Sequence, residues 1–263
     1  LRYFFHIGYN GTNYHGWQRH PNVVTVQQVL EEKLNKVLKI PIGIIGCGRT
    51  DTGVHASQYF FHADINQNWD YDLVFRLNKT LPTSVSMFDI IPMSGQQHAR
   101  FDAIQRTYDY FLHAYKDPFL NNLSAMYLVN NLQIDNMRKA VSLLTKYNDY
   151  AAFCTSPAKY EHTICHISAA ELFINERGDK LRFRISANRF LSRMIRIIMG
   201  RLLKVGKGEI SVDEFESYLL ETHKPIDVIP AHPQGLYLSK IVYPFLNIPP
   251  RTEFLSKIEK ACW

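Results

Sequence analysis

Cysteine is scarce: Cys47, Cys154, Cys165 and Cys262 are the four among 263 residues. That density builds no disulfide framework and fits a reducing cytoplasm, the expected location. Cys154, His162, Cys165 and His166 lie close in sequence, but their spacing fits no common zinc module, so no metal site is expected. No apolar run approaches the roughly 18–20 residues of a membrane helix, and the first residues carry no signal-peptide pattern. The chain starts at Leu1 rather than Met, as a processed or trimmed start would. Also missing are a G-x-x-x-x-G-K-[ST] phosphate loop and a G-x-G-x-x-G fingerprint, so no nucleotide or redox cofactor is expected. Acidic residues nearly vanish from 176–208, where Glu176 and Asp179 face ten basic side chains. The local excess of +8 exceeds the +6 of the whole chain. Concentrated positive charge neutralises phosphates, and the apolar residues around it anchor it in a core. The expected partner is a nucleic acid.

What is present describes a globular α+β chain, 46% hydrophobic and 21% charged. Residues 1–9 read as a strand. Thr25 and Gln28 form a capping-box signature, followed by Val26, Val29, Leu30, Leu34, Val37 and Leu38 at helical spacing, with the charges from Glu31 to Lys39 facing water. Strands are expected at 42–45, 54–63, 85–91 and 107–114, with a helix at 70–80. A second half repeats the recipe, with helices at 135–145, 191–204 and 212–220 and strands at 164–174, 181–187 and 236–243. The expected division is an N-terminal half 1–103, a C-terminal half 104–245 and a tail 246–263. Two similar halves with mixed or antiparallel sheets, flanked by helices, would leave a central cleft. In helix 191–204, Arg193, Arg196, Arg201 and Lys204 share one arc, with Ile197 intruding, so the helix is expected to offer its guanidinium groups outward.

The most informative stretch is Cys47-Gly48-Arg49-Thr50-Asp51-Thr52-Gly53-Val54-His55-Ala56. It sets one carboxylate between a basic residue and glycines that permit tight turns and close approach of another backbone. Taken alone, Gly-Arg-Thr-Asp could equally be an ordinary turn. Five further motifs accompany it in order along the chain: Tyr9–Arg19 (YNGTNYHGWQR), His98–Ala103 (HARFDA), Arg106–Tyr110 (RTYDY), Asn188–Arg196 (NRFLSRMIR) and Gly235–Leu238 (GLYL). Together these resemble the TruA-type tRNA pseudouridine synthases over roughly residues 1–245. Asn10 stands where that family usually has aspartate, and Thr52 where alanine is more frequent.

The resemblance implies a cofactor-free isomerase with the pseudouridine synthase fold. Its substrate would be uridines on the 3′ side of the tRNA anticodon stem-loop (tRNA positions 38–40), and it would act as a homodimer without a membrane. Asp51 would be the essential carboxylate, either a nucleophile or the group that moves a ribose proton. Arg196 would keep it charged, and Tyr108 would stack on the extruded base and help remove the C5 proton. Arg49 would lie beside the flipped nucleotide or hold its phosphate. Trp17, Gln18 and Arg19 would contact RNA backbone, and Leu238 with Phe190 would form apolar walls. Two other classes compete: a non-catalytic RNA-binding protein on the same scaffold, and an Asp-dependent hydrolase, which would want a second carboxylate or a metal cluster.

Overall fold

A computed structural model describes residues 1–223, 225 and 227–251, which form two compact units. The first is Leu1–Ile104 with residues 237–251, and the second is Gln105–Leu236. Residues 237–245, read from the sequence as part of the second half, group with the first unit. Most of the tail, 252–263, with its expected amphipathic pattern, lies outside the described residues. The class is α+β with mixed strand pairing, as expected.

In the first unit β1 (Arg2–Tyr9) runs antiparallel between β3 (His55–Asp64) and β4 (Val85–Pro92). Phe4, Phe5, His6 and Ile7 are consecutive and all buried, so β1 is covered on both faces and shows little alternation. Directly opposed rings tie it to β3: Phe5 stacks on Phe61 at 4.6 Å and His6 on Phe60 at 4.7 Å. On its other edge β3 pairs in parallel with β9 (Leu236–Val242), setting Tyr237 beside His55 and Leu238 beside Ala56.

Helix α1 (Val26–Leu38) begins as read, with Thr25 Oγ1 accepting from the Gln28 N–H. The Gln28 side chain does not close the box; it donates forward to Glu32. Glu31 is buried rather than solvated, because it receives Arg19, Gln27 and the Ile44 N–H. The strand expected at 42–45 shrinks to β2 (Ile45–Gly46). The Ile42 and Ile44 N–H groups go instead to Asn35 and Glu31 of α1, which leaves no ladder for that segment. Helix α2 (Leu73–Thr80) starts later than expected, at its Asp72 cap.

In the second unit β5 (Gln105–His113) pairs in parallel with β6 (Ala125–Met126) and antiparallel with β8 (Lys180–Ala187). Strand β7 (Ile167–Ile174) flanks β8. Three helices accompany them: α3 (Ile134–Leu143), α4 (Met194–Lys207) and α5 (Val212–Leu219). Helix α4 is displaced from the expected 191–204. Arg193 sits in the left-handed region (φ 59°) and delays the start, and the stop comes at Gly208 (φ 72°), whose N–H closes on Lys204 and Val205. Gly206 lies inside the helix where Met137 of α3 passes. A Cβ there would be 2.6 Å from the Met137 sulfur.

Candidate active site

The Asp51 loop is gripped by the loop that follows β1. Gly11 donates its N–H to His55 Nδ1 (3.0 Å), Trp17 donates to the Thr50 carbonyl (3.2 Å), and Gly53 donates to the Tyr14 carbonyl (3.2 Å). Val54 N–H closes a turn onto the Asp51 carbonyl (3.1 Å), and the Tyr9 hydroxyl meets Thr50 Oγ1 at 2.9 Å. Two glycines make room. A Cβ on Gly11 would lie 1.9 Å from the Val54 oxygen, and one on Gly16 (φ +83°) 2.4 Å from the Thr50 oxygen. Asp51 itself is partly exposed at the crest of this braced loop.

Trp17 corrects the sequence reading. It is 2% exposed and stacks on Tyr59 at 4.1 Å, close beneath Gly46, so it holds the loop from below and has no surface for an RNA backbone. Tyr59 in turn donates its hydroxyl to the Gly48 carbonyl. Gln18 and Arg19 remain exposed: Gln18 donates to Gln27, and Arg19 pairs with Glu31 at 2.8 Å. Arg49 is exposed, two residues before Asp51. Leu238 is buried beside Ala56.

His55 carries a role the sequence reading missed. It is buried, its Nδ1 accepts from Gly11, and its ring stacks on Tyr237 at 4.5 Å. An Nδ1 acceptor places the proton on Nε2. The glycines read from the sequence as allowing close approach were those of the Asp51 stretch, so Gly11 and Gly16 gave no signal for it.

The His98–Ala103 motif belongs elsewhere. The Ala99 N–H donates to His62 Nδ1 (3.1 Å), and His98 Nδ1 accepts from the Arg100 and Phe101 N–H groups. His62 lies six residues along β3 from Ala56, about 20 Å at strand rise. This motif therefore shapes the far end of the strand. Burial in apolar surroundings, with Arg2 and His98 adding, lowers the His62 pKa to about 4.

In the second unit Tyr108 lies on β5 opposite Ile185, 9% exposed, with its ring edge-on to Phe190 at 5.2 Å. Arg196 is partly buried on the first turns of α4. Its Nε donates to the Ala231 carbonyl (2.7 Å), and its own carbonyl accepts from the Ala231 N–H (2.8 Å). Burial holds the neighbouring Tyr110 hydroxyl well above its usual pKa, and the Arg196 charge opposes this only in part.

The basic segment is far less naked than its +8 suggests. Arg182 is buried and pairs with Asp109 at 2.7 Å, and Arg184 reaches the same carboxylate at 3.1 Å. Arg201, expected to point outward, is buried and shares Asp227 with Lys204, while Lys207 meets Glu209. Ile197, expected beside the charged site, is fully buried. Three acids outside the segment thus engage five of its ten basic side chains. Cys47, Cys154 and Cys165 are buried thiols, and among the described residues no three His, Cys, Asp or Glu side chains converge. No helix among them is long and apolar enough to cross a membrane.

A partly exposed carboxylate thus stands on a loop fixed by hydrogen bonds and packing, and comparison supplies the family. Residues 140–244 match a family model described as tRNA pseudouridine synthase. Proteins named tRNA pseudouridine synthase A from Porphyromonas gingivalis and Parabacteroides distasonis are 37% and 39% identical over 248 and 251 residues. Those alignments cover 92% of this chain and 97% and 96% of theirs. A protein of the same name from Thermoanaerobacter pseudethanolicus is 36% identical across 90% of this chain and 97% of its own. The chain belongs to the tRNA pseudouridine synthase family.

Proposed function

We propose that this enzyme isomerises uridine to pseudouridine in tRNA, at positions on the 3′ side of the anticodon stem-loop, with Asp51 as the catalytic carboxylate and without a cofactor. The observation that carries it is the grip on the Asp51 loop: buried aromatics and two obligatory glycines hold one partly exposed acid in place. Pre-organisation of that kind suits a group that must meet a reacting atom at fixed distance.

The reaction breaks the bond from uracil N1 to ribose C1′, turns the base, and joins C5 to C1′. The C5 proton leaves, N1 gains one, and the atoms balance without oxidant or energy donor. The carboxylate of Asp51 either attacks the nucleotide and is later expelled, or takes a ribose proton and returns it. Tyr108 supplies a ring for the uracil to stack on once it has left its helix, and Arg196 supplies positive charge for an ionised Asp51. Arg49 and the exposed Gln18 and Arg19 contact the RNA, and Leu238 walls the site. Trp17 takes no part in binding, because its surface is consumed beneath the loop. The enzyme acts as a homodimer in the cytoplasm.

The test incubates the protein with unmodified tRNA transcripts and maps pseudouridine by carbodiimide labelling and primer extension. Stops confined to the 3′ side of the anticodon arm are expected. Stops in another arm would refute the assigned target, and none with any transcript would refute the activity.

A further inference from the structure

Residues 227–231 lie along α4 in register with it. Asp227 receives the Lys204 ammonium (2.9 and 3.0 Å) and the Arg201 guanidinium (3.2 Å). Two residues on, the Ile229 carbonyl passes so close that a Cβ on Gly200 would be 2.6 Å from it. Two residues further, Ala231 accepts at its carbonyl from Arg196 Nε and donates its N–H to the Arg196 carbonyl. Then His232 donates to the Tyr127 hydroxyl (2.9 Å) and accepts from the Tyr110 hydroxyl (2.8 Å).

The steps match in length. Four extended residues, 227 to 231, span about 13 Å. Eight helical residues, 204 back to 196, span about 12 Å. The segment thus runs antiparallel to the helix, contacting it at each turn and ending on the residue assigned a catalytic role.

We propose that residues 227–232 are a strap that aims the Arg196 guanidinium, with Asp227 and Ala231 as positioning residues for pseudouridine formation. The proposal rests on the catalytic reading of Arg196. An arginine side chain has many rotamers, and catalysis needs one of them. A carbonyl on Nε fixes the plane of the guanidinium and the direction of its outer edge. The Ala231 carbonyl holds that position only while the strap is registered, and the register is set at its other end by Asp227. Gly200 is required because any side chain there would lift the strap at its middle. The Lys204 ammonium and the Arg201 guanidinium keep Asp227 ionised below the usual carboxylate range, so the anchor stays charged at neutral pH.

The test compares Asp227→Asn, Gly200→Ala and Arg196→Ala, and each strap variant combined with Arg196→Ala. Single-turnover rates, tRNA affinity and melting temperature are measured for the full-length protein. Expected are at least tenfold slower turnover for each strap variant with affinity within twofold of wild type, and no further slowing when either is added to Arg196→Ala. A strap that only supports the fold would slow the Arg196→Ala background as much as the wild type, and that result overturns the proposal. So do unslowed strap variants alongside a slow Arg196→Ala. If Arg196→Ala itself turns over at the wild-type rate, the role of Arg196 falls, and the strap's catalytic role with it. The two failures are thereby distinguished, and the two strap variants perturb different ends should one fold poorly.

Discussion

Replacing Gly11 by alanine should disable the enzyme without unfolding it. The added Cβ would sit 1.9 Å from the Val54 oxygen, 2.6 Å from its carbon and 3.2 Å from its nitrogen. Ordinary contact needs about 3.5 Å, so one of two backbones must move by roughly 1.5 Å. Gly11 is held by its hydrogen bond to His55, and His55 by Tyr237, so the yielding element is the turn closed by Val54 on Asp51. Overpacking of this kind costs about 1–3 kcal/mol of stability. A shift of about 1 Å in a catalytic group costs on the order of 100-fold in rate. Single-turnover pseudouridine formation, tRNA affinity and melting temperature are the three readouts. Gly43→Ala is the control, since a Cβ there meets nothing within 4 Å. A Gly11→Ala enzyme that is folded and within threefold of the wild-type rate would refute the claim that this loop positions Asp51.

Two further expectations concern stability. Asp109→Ala leaves Arg182 buried beside an Arg184 it can no longer share an anion with, and should cost about 3–5 kcal/mol in urea denaturation. A loss under 1 kcal/mol would show the pair to be incidental. His62 binds its proton less readily when folded than unfolded, so the unfolded chain gains protons first on acidification. Stability should therefore be unaffected above about pH 6.5 and fall as the pH drops towards about 4, by on the order of 2 kcal/mol after allowing for water access. In His62→Gln, which keeps an acceptor for Ala99, that part of the pH dependence should disappear; if it persists unchanged, another group is responsible.

Much of the architecture was legible because it rests on local signals. The Thr25 cap and the apolar spacing of α1 lie within a few residues of the features they specify. Where reading failed, distant partners decided. The apolar run at 42–45 looks like a strand until Asn35 and Glu31 take its N–H groups. Arg201 and Lys204 look outward-facing until Asp227 arrives from a segment with no periodicity to announce it. Trp17 follows the same logic. Its motif marked it as an RNA contact, and only burial distinguishes a brace from a contact. Asp51 stands out through its neighbours in sequence, whereas the hydrogen bonds that hold its loop, at Thr50 and Gly53, involve Tyr9, Tyr14 and Trp17, some forty residues earlier.

The most direct test uses tRNA carrying tritium at uracil C5, with the wild-type enzyme and Asp51→Asn, an isosteric change that removes only the ionisable group. Isomerisation must release that tritium to water, whichever route Asp51 takes. The expected result is stoichiometric release by the wild type and none above background by Asp51→Asn, with tRNA affinity unchanged. Release by Asp51→Asn at a rate near the wild type would contradict the account at its centre, since the braced loop would then be holding a residue the chemistry does not need.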